Sequence, residues 1–238
     1  MYLFWFAINT IQAIFTALWT CGWITIALLS LLVTGKSHLA HKLAKHVWAP
    51  GLLWGARAKV TVHGLNHIQP STTYLFAANH QSIIDIPALM VALPMPLHFV
   101  VKQELGRIPF LGWYIRAMGM VLITRSRHKE AARKLDRADQ AMREGRSFVC
   151  FPEGTRSRTG SLGPFKHGAF QPAINAQVPI APIAIKGSLQ VLPSAGFRVR
   201  PGEIHVHITS PVQTGDEAIT RAQVAALCRD QIQQVLTL

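Results

Sequence analysis

Asn79-His80-Gln81-Ser82-Ile83-Ile84-Asp85 places a carboxylate five residues after a histidine. Histidine is the side chain best suited to take a proton near neutral pH, and a nearby carboxylate fixes its tautomer and stabilises the imidazolium that forms. That is the chemistry of a general base and its orienter. Two later stretches suit an anion instead. Phe151-Pro152-Glu153-Gly154-Thr155-Arg156-Ser157 ends an apolar run in a tight loop offering a carboxylate, backbone amides, a hydroxyl and a guanidinium. The planar fork of arginine matches phosphate geometry, and glycine lets the backbone approach an anion closely. In Pro164-Phe165-Lys166-His167-Gly168 a lysine stands at the mouth of an expected helix, where anions bind readily. Lys102 and Arg125 each follow an apolar run. Lys102, Arg125, Arg156 and Lys166 therefore fall at strand ends or helix starts, where α/β folds build ligand sites. Such a cluster repels itself unless it shares an anion; four independent surface cations are the plainer alternative.

The spacing of the first pair limits what can hold it. Positions five apart on a regular helix differ by roughly 140° in azimuth, so His80 and Asp85 cannot face each other from mid-helix. His80 is expected in the turn before a helix and Asp85 in its first turn. Residues 75–78 read as the end of a buried strand, and Ser82-x-x-Asp85 reads as a capping box opening a helix over 83–92. From residue 59 onward, short apolar runs alternate with helical stretches, which predicts an α/β domain. Strands are expected at 59–63, 73–78, 98–101, 120–124, 147–151, 180–185 and 203–209, and helices at 83–92, 110–118, 128–144, 168–175 and 216–235. The basic helix over 128–144 reads as a solvated outer face. The proline-led run Val178-Pro179-Ile180-Ala181-Pro182-Ile183 reads as core or acyl-chain lining.

Composition narrows the partners. A formal net charge of +13 among 238 residues implies an anionic one. Half of the residues are hydrophobic and mean hydropathy is positive, which favours lipid over nucleic acid. The first 35 residues carry no charged side chain, and only ~20 helical residues cross a ~30 Å hydrocarbon core. Residues 1–57 are expected to be a membrane anchor, as one tilted span or a helix pair in one leaflet, and residues 58–238 a catalytic domain. A cleaved signal peptide needs its basic residues before the apolar run. Here Lys36, Lys42 and Lys45 follow it, which by the positive-inside rule puts the remainder of the chain in the cytoplasm. The segment 36–54 reads as an amphipathic helix at the headgroup surface, with His38, His41 and His46 on a solvated basic face rather than on a metal. Cys21, Cys150 and Cys228 are too widely spaced for a disulfide framework or a zinc motif.

The order of these blocks resembles the 1-acylglycerol-3-phosphate (lysophosphatidic acid) acyltransferase family. Asn79-His80-x-x-x-x-Asp85 resembles its first motif, Gly119 to Arg125 its second, Phe151 to Ser157 its third, and Val178-Pro179-Ile180-x-Pro182 its fourth. Lys102-x-Glu104-Leu105 and Phe165-Lys166-x-Gly168 are also similar to family segments. Thr124 departs from the second motif, which often carries an acid before its arginine. The resemblance implies a mixed sheet flanked by helices, with an N-terminal anchoring helix or helix pair. It implies that His80 is the general base on the sn-2 hydroxyl of lysophosphatidic acid and Asp85 its orienter. The donor would be acyl-CoA or acyl-carrier protein, and neither metal nor other cofactor is required. Lys102, Arg125, Arg156 and Lys166 would take the acceptor phosphate with the loop of Gly154 and Thr155, while Glu153 orders that loop or contacts the glycerol. The enzyme is then expected to be membrane-anchored, with its catalytic domain facing the cytoplasm. Another lysolipid acceptor, such as a lyso-ornithine lipid, is the alternative within the family. Outside it stand a non-catalytic protein binding anionic membranes and, against the apolar start, a nucleic-acid binder.

Overall fold

Leu75–Ala78 and Ser147–Cys150 are buried at every position, and Ile180–Lys186 at all but its last. Strands apolar on both faces must be covered on both faces, which is the situation of a parallel sheet between helical layers. The computed structural model, which describes residues 2–123, 137–195, 198–215 and 219–238 and side chains from Trp5 onward, has that arrangement. Its strands are β1 (Ala58–His63), β2 (Leu75–Ala78), β3 (Leu97–Lys102), β4 (Val121–Ile123), β5 (Ser147–Cys150), β6 (Ile180–Lys186) and β7 (Gly202–Ile208). They form one mixed sheet in the order β1-β7-β6-β2-β5-β3-β4. Every pairing is parallel except β6 with β7. Pro182 lies inside β6 although a proline cannot donate to a ladder. It falls between the β7 pairing, which begins at Ile183, and an isolated bridge from Ile180 to Val212, where pairing with the following chain is interrupted.

The helices are α1 (Tyr2–Thr34), α2 (His38–Leu43), α3 (Ala49–Gly55), α4 (Asp85–Ala92), α5 (Leu111–Ala117), α6 over 137–143, α7 (Gln171–Ala176), α8 (Ser188–Val191) and α9 (Arg221–Thr237). On one sheet face Phe76, Ala78, Ile183, Ile185 and Val206 pack with Leu89 of α4 and Leu53 of α3. On the other face Ala77, Phe148 and Ala184 pack with Met142 of α6 and with Cys228 and Ile232 of α9. All seven expected strands are present, shifted by one or two residues at their ends. The run 178–183 proves to be core in its strand portion. The helix expected over 128–144 is seen from 137, its earlier part lying outside the described residues. The last helix begins at Arg221, capped by Thr220 in a reciprocal box with Gln223. Cys150 and Cys228 are buried free thiols, and burial pushes both up from the ordinary thiol range.

Among the described residues one helix is long and apolar enough to cross a membrane, Trp5–Thr34 within α1. Its large side chains Phe6, Ile11, Leu18, Leu29 and Leu32 point outward, exposed. After Gly35 the chain folds back: α2, a π-helical turn (Ala44–Trp48) and α3 run antiparallel to α1. Ala27 meets Ala40, the indole of Trp19 donates to the Trp48 carbonyl at 3.1 Å, and the indole of Trp48 donates to Thr20 at 3.2 Å. A Cβ on Gly51 would come within 2.3 Å of the Trp19 ring, so this close approach requires glycine. The described N-terminus is thus a pair of packed helices. The segment 36–54 is helical from His38 onward, with Ala40, Ala44, Ala49 and Leu53 buried in the molecule while Leu39 and Trp54 stay exposed.

His41 does correct an expectation. It is buried rather than solvated, its ring 4.7 Å from that of buried His98. Burial first, and then the charges of His98, His38 and Arg146, lower the His41 pKa to about 4; burial likewise lowers that of His98. A histidine whose pKa is depressed by folding gives stability that is complete above about 6.5 and is lost as pH falls toward the folded value. The loss expected from His41 is about 3 kcal/mol by pH 4. Thermal unfolding in detergent between about pH 7.5 and pH 4.5 should show it, with a clearly shallower decline in His41→Leu. Equal slopes in the two proteins would remove His41 as the cause.

Candidate active site

Strand β2 delivers the chain to Asn79, and Asn79 is bolted to the neighbouring strand. Its amide donates to the Ile185 carbonyl at 3.0 Å while its carbonyl accepts from the Ile185 amide at 2.7 Å. The peptide then turns into α4, and His80 and Asp85 face each other across that turn. His80 Nδ1 lies 2.8 Å from Asp85 Oδ2. The same carboxylate oxygen accepts from the backbone amides of Gln81 and Ser82, each at 2.9 Å. Asp85 is fully buried at the first position of α4. A carboxylate collecting three donors only accepts, so Nδ1 carries its hydrogen and Nε2 keeps a lone pair free for a proton.

The capping box expected of Ser82 and Asp85 is only half present. Asp85 does reach back to the Ser82 amide, but the Ser82 hydroxyl donates to the Leu192 carbonyl at 2.6 Å and accepts weakly from the Ile84 amide. The helix accordingly starts two residues later than predicted. The hydroxyl ties this turn to the end of α8 instead.

The Phe151–Ser157 loop closes over the same turn. The Phe151 ring stacks on the His80 imidazole, centroids 3.9 Å apart and planes 15° from parallel. Glu153 is buried and braces two loops: Oε1 accepts from the His80 amide at 2.8 Å and Oε2 from the Gly163 amide at 2.9 Å. The Ser157 amide donates to the His80 carbonyl at 2.8 Å, and the Gln81 side chain donates to the Gly160 carbonyl at 3.1 Å. His80 is therefore held by its ring and by both backbone polar groups. Of the two roles considered for Glu153, these contacts are those of a loop brace.

The cations are placed unequally. Gly154 has φ +74°, and a Cβ there would stand 2.9 Å from Lys166 Nζ, so the Lys166 amine lies over the Gly154 backbone. Thr155 and Arg156 are exposed on the same loop. Arg156 also borders an apolar cavity of about 650 Å³, whose lining includes Ile83, Ile84, Met90 and Phe110 together with Trp23 of α1. Lys102 stands at the carboxyl end of β3 but pairs with Glu104 at 3.1 Å, both half-exposed, so its charge is partly matched within the chain. Arg125 lies outside the described residues. The structure thus gathers Gly154, Thr155, Arg156 and Lys166 on one loop system beside His80.

Phe151, Asn79, Gln81 and Ser82 help to hold the base although their local sequence assigns them no such part. Their partners lie some 70 to 110 residues away, and no local spacing announces such contacts.

Known proteins match this arrangement. A family model described as Acyltransferase matches residues 59–186, from β1 through β6. The mouse 1-acyl-sn-glycerol-3-phosphate acyltransferase alpha is 32% identical over 98% of this chain and 83% of its own. The human protein of the same name is 36% identical over 74% of this chain and 61% of its own. A chloroplastic 1-acyl-sn-glycerol-3-phosphate acyltransferase of Brassica napus is 32% identical over 79% of this chain and 57% of its own. The chain thus spans roughly half to three fifths of the length of several curated relatives. In fold it is similar to the crystal structure of the lysophosphatidic acid acyltransferase PlsC from Thermotoga maritima, with a TM-score of 0.80, 24% identity, and coverage of 97% of this chain and 95% of that one. The matched segment holds the His80–Asp85 turn, the Glu153–Arg156 loop and Lys166 on the sheet that aligns them, and the chain belongs to the 1-acyl-sn-glycerol-3-phosphate acyltransferase family.

Proposed function

We propose that the protein transfers an acyl group from a thioester to the sn-2 hydroxyl of lysophosphatidic acid, giving phosphatidic acid. The observation that carries this reading is the 2.8 Å contact that fixes His80 Nδ1 on buried Asp85 and leaves Nε2 as a base. Nε2 takes the hydroxyl proton as the oxygen attacks the thioester carbonyl carbon. The tetrahedral adduct collapses with loss of the C–S bond, and the thiolate departs. A thiol with a pKa near ~8.5 leaves with little assistance, and the imidazolium returns the proton to it or to solvent. Atoms and charge balance without a metal or a redox cofactor. The donor is acyl-CoA or acyl-carrier protein. The acceptor phosphate meets Arg156 and Lys166 beside the Gly154–Thr155 loop, Lys102 contributes positive charge from the end of β3, and Arg125 is a further cation for it.

The apolar cavity suits an acyl chain, since its walls are hydrocarbon and Arg156 stands at its border. Part of that wall is α1, so the anchoring helix pair and the substrate site are one construction. The helix pair holds the active site at a bilayer in which acceptor and product both reside. Lys36, Lys42 and Lys45 orient the domain toward the cytoplasm.

The decisive experiment measures thiol release from an acyl thioester with and without lysophosphatidic acid, identifying the lipid product by mass. Acceptor-dependent release with phosphatidic acid as product supports the reading. Release without acceptor would make the protein a thioesterase, and release only with another lysolipid would keep the chemistry and overturn the acceptor. In the same assay Arg156→Ala should raise the apparent KM for lysophosphatidic acid about 10–100-fold, the worth of one charge-assisted contact, with little change for the donor. Equal rises for both substrates would remove Arg156 as the phosphate clamp.

A further inference from the structure

Strand β7 contains His205-Val206-His207, and alternation along a strand sends both imidazoles to one face. That face is opposite to the one carrying Ile204, Val206 and Ile208 against α4, so it is also opposite to the helix that begins with Asp85. In the parallel register of β1 with β7, His63 is the direct partner of His207. Three imidazoles from two adjacent strands therefore meet on one patch of the sheet. The rings of His63 and His207 stack with centroids 4.2 Å apart and planes 13° from parallel. His63 Nε2 lies 3.4 Å from His205 Nδ1, and one ligand nitrogen from each of the three histidines falls within 4.8 Å of the others.

We infer that His63, His205 and His207 form a binding site for a divalent transition-metal ion of the Zn²⁺ class. A zinc–nitrogen distance of ~2.0–2.1 Å in tetrahedral geometry sets neighbouring ligand nitrogens about 3.4 Å apart. The His63–His205 pair already has that separation; the third nitrogen needs to close by up to about 1.4 Å, and the stacked rings of His63 and His207 must turn so that their in-plane lone pairs converge, a movement within reach of side-chain rotation. The ligand set is all imidazole, which suits zinc, copper and nickel rather than magnesium or calcium. His63 is exposed and the other two are half-buried, so the fourth position is open to water.

The surroundings agree with this assignment. Glu203 Oε2 stands 3.6 Å from His205 Nε2, the ring nitrogen turned away from His63. A carboxylate behind the outer nitrogen of a ligating histidine is the usual arrangement for fixing its tautomer and raising its basicity. The other Glu203 oxygen is 3.7 Å from exposed Lys59. Lys186, the register partner of His205 on β6, directs its amine to the Val235 carbonyl at 3.4 Å, yet its charge still acts on His207, so an ion there binds against that repulsion. The ion would pin edge strand β1 to β7 and would stand apart from the acyl-transfer chemistry.

The test is zinc titration of the tag-free full chain in detergent against a chromophoric chelator, with Co²⁺ substitution to report geometry by visible absorption. One ion per chain is expected, with a tetrahedral Co²⁺ spectrum and a zinc-dependent rise in Tm. His205→Ala and His63→Ala should each weaken binding about 100-fold or more, and Glu203→Gln about 10–100-fold. These residues lie outside the acyl-transfer site, so each variant should keep its acyl-transfer rate. Absence of saturable binding overturns the inference, as does stoichiometric binding whose affinity is unchanged in the His63→Ala/His205→Ala double variant.

Discussion

His80→Ala is expected to lower the acyl-transfer rate by about 10²–10⁴-fold, the range for removing a positioned general base. The loss should lie in kcat, because no contact assigned to the acceptor phosphate or to the acyl chain involves the imidazole. The fold should survive, for reasons visible in the hydrogen bonds. The His80 amide donates to Glu153 and its carbonyl accepts from Ser157, and both are backbone groups that alanine retains. Asp85 loses one of its three donors and keeps the amides of Gln81 and Ser82. Phe151 loses the ring it stacks on, worth about 1 kcal/mol. Acceptor-dependent thiol release measured beside a thermal melt separates the two effects. A folded variant that retained activity within about tenfold of the parent would show that the proton is taken by another group.

The pair at the centre of the site was legible because five residues is a spacing that only a turn entering a helix can close. His80 and Asp85 accordingly sit on either side of that entry. The strands were legible for a comparable local reason, since runs such as Phe148-Val149-Cys150 are apolar on both faces and too short for a helix. What escaped was set by distant partners. Ser82 has the type and position of a cap, yet the Leu192 carbonyl, 110 residues away, takes its hydroxyl. His41 lies among lysines and histidines that read as one wet face, yet the fold brings His98 and the sheet against it. The N-terminal helix pair depends on Trp19, Trp48 and Gly51 meeting across a turn, and hydropathy alone does not distinguish that from a single span. The cations proposed for the acceptor phosphate were read one by one from strand ends and helix starts. Their grouping required the loop geometry that puts Lys166 over Gly154 and gives Lys102 a partner in Glu104.

Asp85→Asn separates holding the base from charging it. An asparagine fits the same volume, and the two backbone amides of Gln81 and Ser82 still require an acceptor where Oδ2 now stands. They select the rotamer that puts the amide oxygen there, so His80 Nδ1 keeps an acceptor and the imidazole keeps its tautomer. The amide nitrogen then occupies the place of Oδ1, a buried atom with no hydrogen-bond partner among the described residues. An unsatisfied buried donor at that point costs about 1–3 kcal/mol of stability, which a lowered Tm would register. Catalysis suffers separately, because a neutral amide no longer balances the positive charge that develops on the imidazole as it takes the hydroxyl proton. The expected result is a fall in kcat of about 10²–10⁴-fold with apparent KM values changed by less than about threefold. If Asp85 served only to cap α4, Asp85→Asn would lower Tm while leaving kcat near that of the parent, and the carboxylate would then have no part in the chemistry.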